Sequence, residues 1–186
     1  MKCLHITIAS LLLLSACGGS GSAEVSCPKQ YWDGQVGLCK FDDWSVMNRE
    51  TLRQRGVPDE TIVALQADDA VSGQFPTVAV TQEVLLQPMS AEAYSQASVR
   101  AVSVYPSYEL LDSTPVSIDG NSVDLHIFLA QPIADEPKRR YYQVSTVDEK
   151  SGYTVTAAAP VSIGDTLDQQ IVAILQSFTL EDSETE

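Results

Sequence analysis

The 186 residues carry 11 basic against 25 acidic side chains, a formal charge of −14, and 44% of them are hydrophobic. So acidic a chain repels nucleic acid and anionic lipid surfaces, which excludes phosphate neutralisation as its main mode of binding; no nucleic acid is expected among its partners. The length and mixed composition suit one globular domain with its own core and exclude a disordered stalk.

At the N-terminus, Lys2 precedes an apolar run from Leu4 to Leu14, broken only by His5, Thr7 and Ser10 and followed by small residues. This is the order of an export signal, so residues 1–16 are expected to be removed. The run is shorter than the roughly 20 apolar residues a membrane-spanning helix needs. Leu14-Ser15-Ala16-Cys17 resembles the bacterial lipobox, in which a small residue precedes a cysteine whose thiol receives diacylglycerol. The resemblance implies that Cys17 is the lipidated first residue of the mature chain, anchored through fatty acyl chains such as palmitate. A single chain holds reversibly, at about 0.8 kcal/mol per buried CH₂, and several hold firmly. Gly18 in place of aspartate implies outer-membrane sorting, facing the periplasm, in a Gram-negative host. The alternative is an ordinary signal peptide with an incidental cysteine.

Loss of residues 1–16 takes away Lys2 alone among the charged residues, leaving 10 basic and 25 acidic side chains and a formal charge of −15. Residues 17–24 read as a lipidated, Gly/Ser-rich tether spanning roughly 15 Å as a random coil. A single globular domain is expected over 25–180, with 181–186 an acidic, disordered tail. Cys3 leaves with the signal and Cys17 takes the lipid, so Cys27 and Cys39 remain. In an exported protein they are expected to form a disulfide, with two free thiols as the alternative. A metal site is disfavoured because the mature chain keeps one histidine, His126.

Along the domain, Pro28 to Leu38 reads as a small hairpin turned at Asp33-Gly34. Asn48 can cap a helix through Arg49 to Arg55 that stops at Gly56. Pro58 can open a second helix, with Ile62, Val63 and Leu65 on its apolar side. Six strands are read at Thr77–Leu86, Tyr108–Leu111, Val116–Ile118, Ser122–Ala130, Arg139–Val147 and Gly152–Ala158. A helix over Ser90–Ser103 lies between the first two, with Ser90 as cap. Another starts at Asp165 or Thr166, with Leu167, Ile171, Ile174, Leu175 and Phe178 as one stripe. Asp119-Gly120 and Ser151-Gly152 mark tight connections. Joins this short favour antiparallel pairing, and the fold class expected is α+β, an α/β/α sandwich around a mostly antiparallel sheet of about six strands.

Several of these features carry a family resemblance over residues 75–180. They are the helix near Ser90–Ser103, Ile118-Asp119-Gly120 before a long strand, Ser151-Gly152-Tyr153-Thr154-Val155, and the closing Ile174-Leu175-Gln176-Ser177-Phe178. The stretch resembles the PsbP-like fold family, which includes a eukaryotic Ran-GTPase release factor and the DcrB-type bacterial lipoproteins. The N-terminal part departs from that family's pattern, with a disulfide hairpin and two short helices in place of an early strand. The resemblance implies an accessory or binding protein, not an enzyme.

Chemistry-bearing residues are sparse. His126 shares a strand face with Asp124 and Phe128, and it is either the base of a hydrolase or an ordinary strand histidine; no Gly-x-Ser-x-Gly nucleophile turn accompanies it. The acidic turn at Asp119–Asp124 lacks the ligand alternation of an EF-hand, and no metal or cofactor is expected. Lys138-Arg139-Arg140 is either a partner contact or a charged guard on a strand edge. Tyr31, Trp32, Phe41 and Trp44 are either a partner surface or pins that fix the disulfide loop to the core. The function expected is a non-catalytic binding or assembly-accessory domain of an envelope lipoprotein, with an envelope protein as partner. Alternatives are a carrier or sensor of a small apolar ligand, and a hydrolase using His126.

Overall fold

A computed structural model of the protein describes residues 26–182. The expected signal peptide, the Cys17 lipidation site, the tether and residues 183–186 of the tail lie outside the described residues.

The chain first forms a hairpin from β1 (Gln30–Trp32) and β2 (Gly37–Cys39). Its loop is shaped by Asp33, whose carboxylate accepts from the backbone N–H groups of Gln35 and Val36, both at 2.8 Å, while Gly34 takes φ +97°. Cys27 and Cys39 are bridged, with Cα atoms 5.5 Å apart. Next come β3 (Trp44–Asn48) and α1 (Arg49–Gln54). Asn48 caps α1, its side chain accepting from Thr51 N–H at 3.0 Å, and Gly56 at φ +73° follows the helix end.

The segment after Pro58, expected as helix, is instead strand β4 (Thr61–Ala67). Val63, Ala64 and Leu65 are buried in succession, so both faces of the strand are covered. A strand covered on both sides reads as an unbroken apolar run, which periodicity alone does not separate from a buried helix. Strand β5 (Thr77–Val84) leads into α2 (Ala91–Val102), where Ser90 accepts from Ala93 N–H at 3.2 Å. A four-strand meander follows, comprising β6 (Glu109–Ile118), β7 (Asn121–Ala130), β8 (Arg139–Asp148) and β9 (Ser151–Pro160). Helix α3 (Asp165–Gln176) closes the fold.

The main sheet has seven strands in the order β3-β4-β5-β9-β8-β7-β6, every neighbouring pair antiparallel. The two strands read at Tyr108–Leu111 and Val116–Ile118 are one, β6, with a register shift between Leu110 and Asp112. Pro115 interrupts its pattern, yet β6 is an edge strand, the place in a sheet where proline is tolerated. Asp119 (φ +46°) and Gly120 (φ +77°) form the β6–β7 turn as expected. Ser151-Gly152 is not a turn: both residues already belong to β9 and pair with Asp148 and Val147. At α3 the cap is Gly164, and Asp165 sits in the first turn.

Cross-strand register sorts the sheet into two faces. Val63, Val80, Val155 and Val144 are successive partners on one face, and α3 covers it through Ile171, Ile174 and Leu175. The hairpin joins this layer: Gly37 exchanges backbone bonds with Thr179, at 2.8 and 3.1 Å, and Cys39 N–H donates to Ser177 Oγ at 2.7 Å. On the other face α2 packs on β7 and β8, with Ser95 Oγ accepting from Asp124 N–H at 3.0 Å. The result is an α/β/α sandwich of α+β class.

Candidate functional site

On the face that α2 covers, the sheet is not apolar throughout. Alternation in β9 sends Tyr153, Val155 and Ala157 toward α3, and Gly152, Thr154 and Thr156 the other way. In β8 the same alternation buries Tyr142 and Val144 toward α3 and turns Gln143 and Ser145 toward α2. Because α2 lies over β7 and β8, the sheet beyond it is left accessible. There a cleft of about 330 Å³ opens over β5, β9 and β8, walled by Tyr94 of α2 and by Glu60, which precedes β4.

Within the cleft, Tyr94 donates its hydroxyl to Glu83 Oε1 at 2.7 Å and lies 3.4 Å from Thr154 Oγ1, which in turn meets Ser145 Oγ at 3.0 Å. Burial and the acceptor carboxylate of Glu83 push the Tyr94 phenol up to about 12, so it stays a donor at neutral pH. Its ring rests against Gly152, where an added Cβ would come within 2.5 Å of Tyr94 Cζ. Gln143 lines the floor at 8% exposure, and its carboxamide oxygen is buried without a hydrogen-bond partner.

His126, the cross-strand neighbour of Gln143, is 2% exposed. Its Nε2 pairs with the Tyr108 hydroxyl at 2.9 Å, and Nδ1 is buried without a partner. The ring is flanked by Tyr108 and Phe128, with Tyr141 stacked beyond Phe128. Burial lowers its pKa below the ordinary 6.5, with Asp124 acting in the opposite direction. Among the described residues neither ring nitrogen bonds a carboxylate or a serine or cysteine nucleophile, so the relay of a hydrolase is not assembled here.

The other residues singled out from sequence are distributed as follows. Tyr31 and Trp32 are half-buried on β1, while Phe41 at 7% and Trp44 at 1% exposure belong to the core. For Phe41 and Trp44 the partner-surface reading is therefore corrected: their area is spent inside the molecule, and Trp44 Nε1 donates to Gln170 Oε1 of α3 at 3.2 Å. Lys138, Arg139 and Arg140 each meet an acidic residue of the same chain, Glu109 at 2.9 Å, Glu136 at 3.6 Å and Asp168 at 3.3 Å. Arg140 also lies over the Tyr142 ring, whose hydroxyl bonds Asp168. The structure thus gathers Phe41, Trp44 and the basic run into internal contacts. The cleft escaped the sequence reading, and its signal was the threonines and Gln143 alternating through two central strands.

No protein-family model matches the chain, and no curated protein matches it in sequence. Solved structures do. The cyanobacterial PsbP protein CyanoP of Synechocystis sp. PCC 6803 aligns over 90% of this chain and 99% of its own, at 15% identity and a TM-score of 0.54. LpqN of Mycobacterium tuberculosis, a protein involved in cell envelope biogenesis, aligns over 83% of this chain and 90% of its own, at 12% identity and a TM-score of 0.58. Such coverage reaches beyond residues 75–180 into the N-terminal region. At these identities the likeness speaks to architecture alone, and the protein has a PsbP-like fold.

Proposed function

We propose that the protein is a non-catalytic binding or assembly-accessory domain of the bacterial cell envelope, held at the membrane by lipid on Cys17. The observation that carries this reading is the combination of a lipobox-like Leu14-Ser15-Ala16-Cys17 with a PsbP-like fold shared with an envelope-biogenesis protein. No helix among the described residues is long and apolar enough to cross a membrane, which leaves the anchoring to the N-terminal segment in this proposal. With Gly18 after the cysteine, the proposed location in a Gram-negative host is the outer membrane, facing the periplasm.

The arrangement around His126 supports a structural part for that residue, and the polar lining of the cleft over β5, β8 and β9 favours a polar ligand over an apolar cargo. Of the partner surface expected from sequence, Tyr31, Trp32, Lys138, Arg139 and Arg140 are all half-buried; the three basic residues are already paired with acidic residues of this chain, and Tyr31 and Trp32 are proposed as contacts to an envelope protein.

Fractionation of cells expressing the parent and the Cys17→Ala variant tests the anchor: the parent is expected with the membranes and the variant in the soluble or precursor pool. Equal membrane association of both would remove the lipid from the account. Cross-linking in intact cells then tests the binding role. One specific envelope protein should be enriched over an unrelated lipoprotein control, and should be lost when Tyr31 and Trp32 are replaced by alanine.

A further inference from the structure

The structure assigns Asp112 and Pro115 to a guard on the free edge of β6, one that keeps a second copy of this chain from adding its own β6 to the sheet. The inference uses neither the lipid anchor nor the envelope location, so it and the proposed function can fail separately.

Strand β6 has the makings of a sticky edge. It is ten residues long, against five in β3 at the opposite edge, and it pairs with β7 alone among the described residues. Glu109 to Pro115 are exposed in succession, with Leu110 and Leu111 keeping 52% and 43% of their surface in solvent. A long exposed strand with apolar side chains and unpaired backbone groups is a template for another strand, and an identical strand is always present at the same concentration.

Register shows which backbone groups of β6 face outward. In an antiparallel pair, facing residues alternate between exchanging both N–H···O bonds and exchanging neither. Asp119 and Gly120, both at positive φ, make a two-residue turn whose flanking pair, Ile118 and Asn121, is of the bonded kind. Counting back, Ser117, Pro115 and Ser113 fall in pairs of the other kind and turn their backbone groups to the free side. Asp124 agrees: it faces Pro115 and gives its N–H to Ser95 of α2, not to β6. Of the three outward positions, Pro115 has no N–H, and the N–H of Ser113 is taken by Asp112 Oδ1 at 2.9 Å. Asp112 Oδ2 accepts from Thr114 Oγ1 at 3.0 Å, which holds the carboxylate in place. Ser117 alone of the three keeps a donor for a newcomer, and the register shift between Leu110 and Asp112 breaks the two-residue rhythm farther along. A second β6 would leave carbonyl oxygens unpaired, displace the Asp112 carboxylate from Ser113, and bring its own Glu109 and Asp112 to the same edge.

The test compares the full chain with its Asp112→Ala, Pro115→Thr and double variants, none of which adds a large apolar group. Sedimentation over a range of concentrations reads self-association, and amide hydrogen exchange reads where it occurs. The double variant should self-associate at least about tenfold more tightly than the parent, with new protection of the amides at positions 113, 115 and 117. Asp112→Asn keeps an acceptor for the Ser113 N–H and should associate less than Asp112→Ala. Ser117→Pro separates strand addition from misfolding: at an outward position it removes the last donor, so it should return the double variant to parent behaviour, which it would not do for a misfolded chain. A double variant no more associated than the parent while β8 and β9 stay protected, association that survives Ser117→Pro, equal association of Asp112→Asn and Asp112→Ala, or an associate without new protection in β6 would each overturn the proposal.

Discussion

Gly152 shows how one missing methyl group organises a site. It lies inside β9 with ordinary strand pairing, and its role is to admit the Tyr94 ring, whose Cζ and hydroxyl oxygen stand 2.5 and 2.6 Å from where a Cβ would be. Gly152→Ala is expected to destabilise the protein by about 1–3 kcal/mol, the usual cost of overpacking. Denaturant midpoints would measure it. In a Tyr94→Ala background the same substitution should cost much less, because the obstacle is gone; equal costs in the two backgrounds would contradict the account.

His126 makes a separate residue-scale prediction. Burial holds its native pKa below the ordinary 6.5, so between those two values the unfolded chain binds a proton that the native chain does not. Stability must therefore fall as pH drops through 6.5 toward the native value, and level off beneath it. His126→Gln removes that component. Urea unfolding from about pH 7.5 to about pH 5 should show a shallower loss of stability in the variant than in the parent, and a slope no smaller in the variant would contradict the assignment.

At the scale of elements, the N-terminal hairpin behaves as a lid on one end of the α3 layer. Val36, Leu38 and Cys39 are fully buried there, and the backbone of Gly37 pairs with Thr179 beyond the helix. The bridge between Cys27 and Cys39 closes a loop with a sequence separation of 12, which corresponds to about 3 kcal/mol in the chain-entropy account. A Cys27→Ser/Cys39→Ser variant should lose stability of that order, and reductant should lower the parent's urea midpoint without affecting the variant's. Elements with strong local signals were legible in the chain: the Asn48 and Ser90 caps, the Asp119-Gly120 turn and the apolar stripe of α3 all act where their local chemistry places them. β4 was not, because its side chains are buried on both faces and its apolar run has no strand period. β3 was also unread, since Trp44 and Val46 turn inward at strand spacing over only five residues beside a helix cap.

For the whole molecule, the decisive feature is the path of the chain between β5 and β6. The connection through α2 carries the chain from the middle of the sheet to its far edge, and the β6–β9 meander then returns to pair with β5. That route places α2 over β7 and β8, leaves β5 and β9 accessible on the same face, and so creates the cleft. It also sets Glu60, Glu83, Tyr94 and Gln143, which are spread over more than eighty positions, around one opening.

By itself the sequence determined what depends on near neighbours and on composition: the acidic surface, the paired cysteines, the capped helices, the tight β6–β7 turn and the antiparallel character of the sheet. Only the tertiary structure decided that β4 is a strand, that Phe41 and Trp44 face inward, that the basic run is neutralised by its own chain, and that a polar cleft exists. The physical reason is that caps and turns are satisfied by backbone groups a few residues away, whereas burial on two faces, ion pairing and the walls of a cleft are settled by partners distant in sequence.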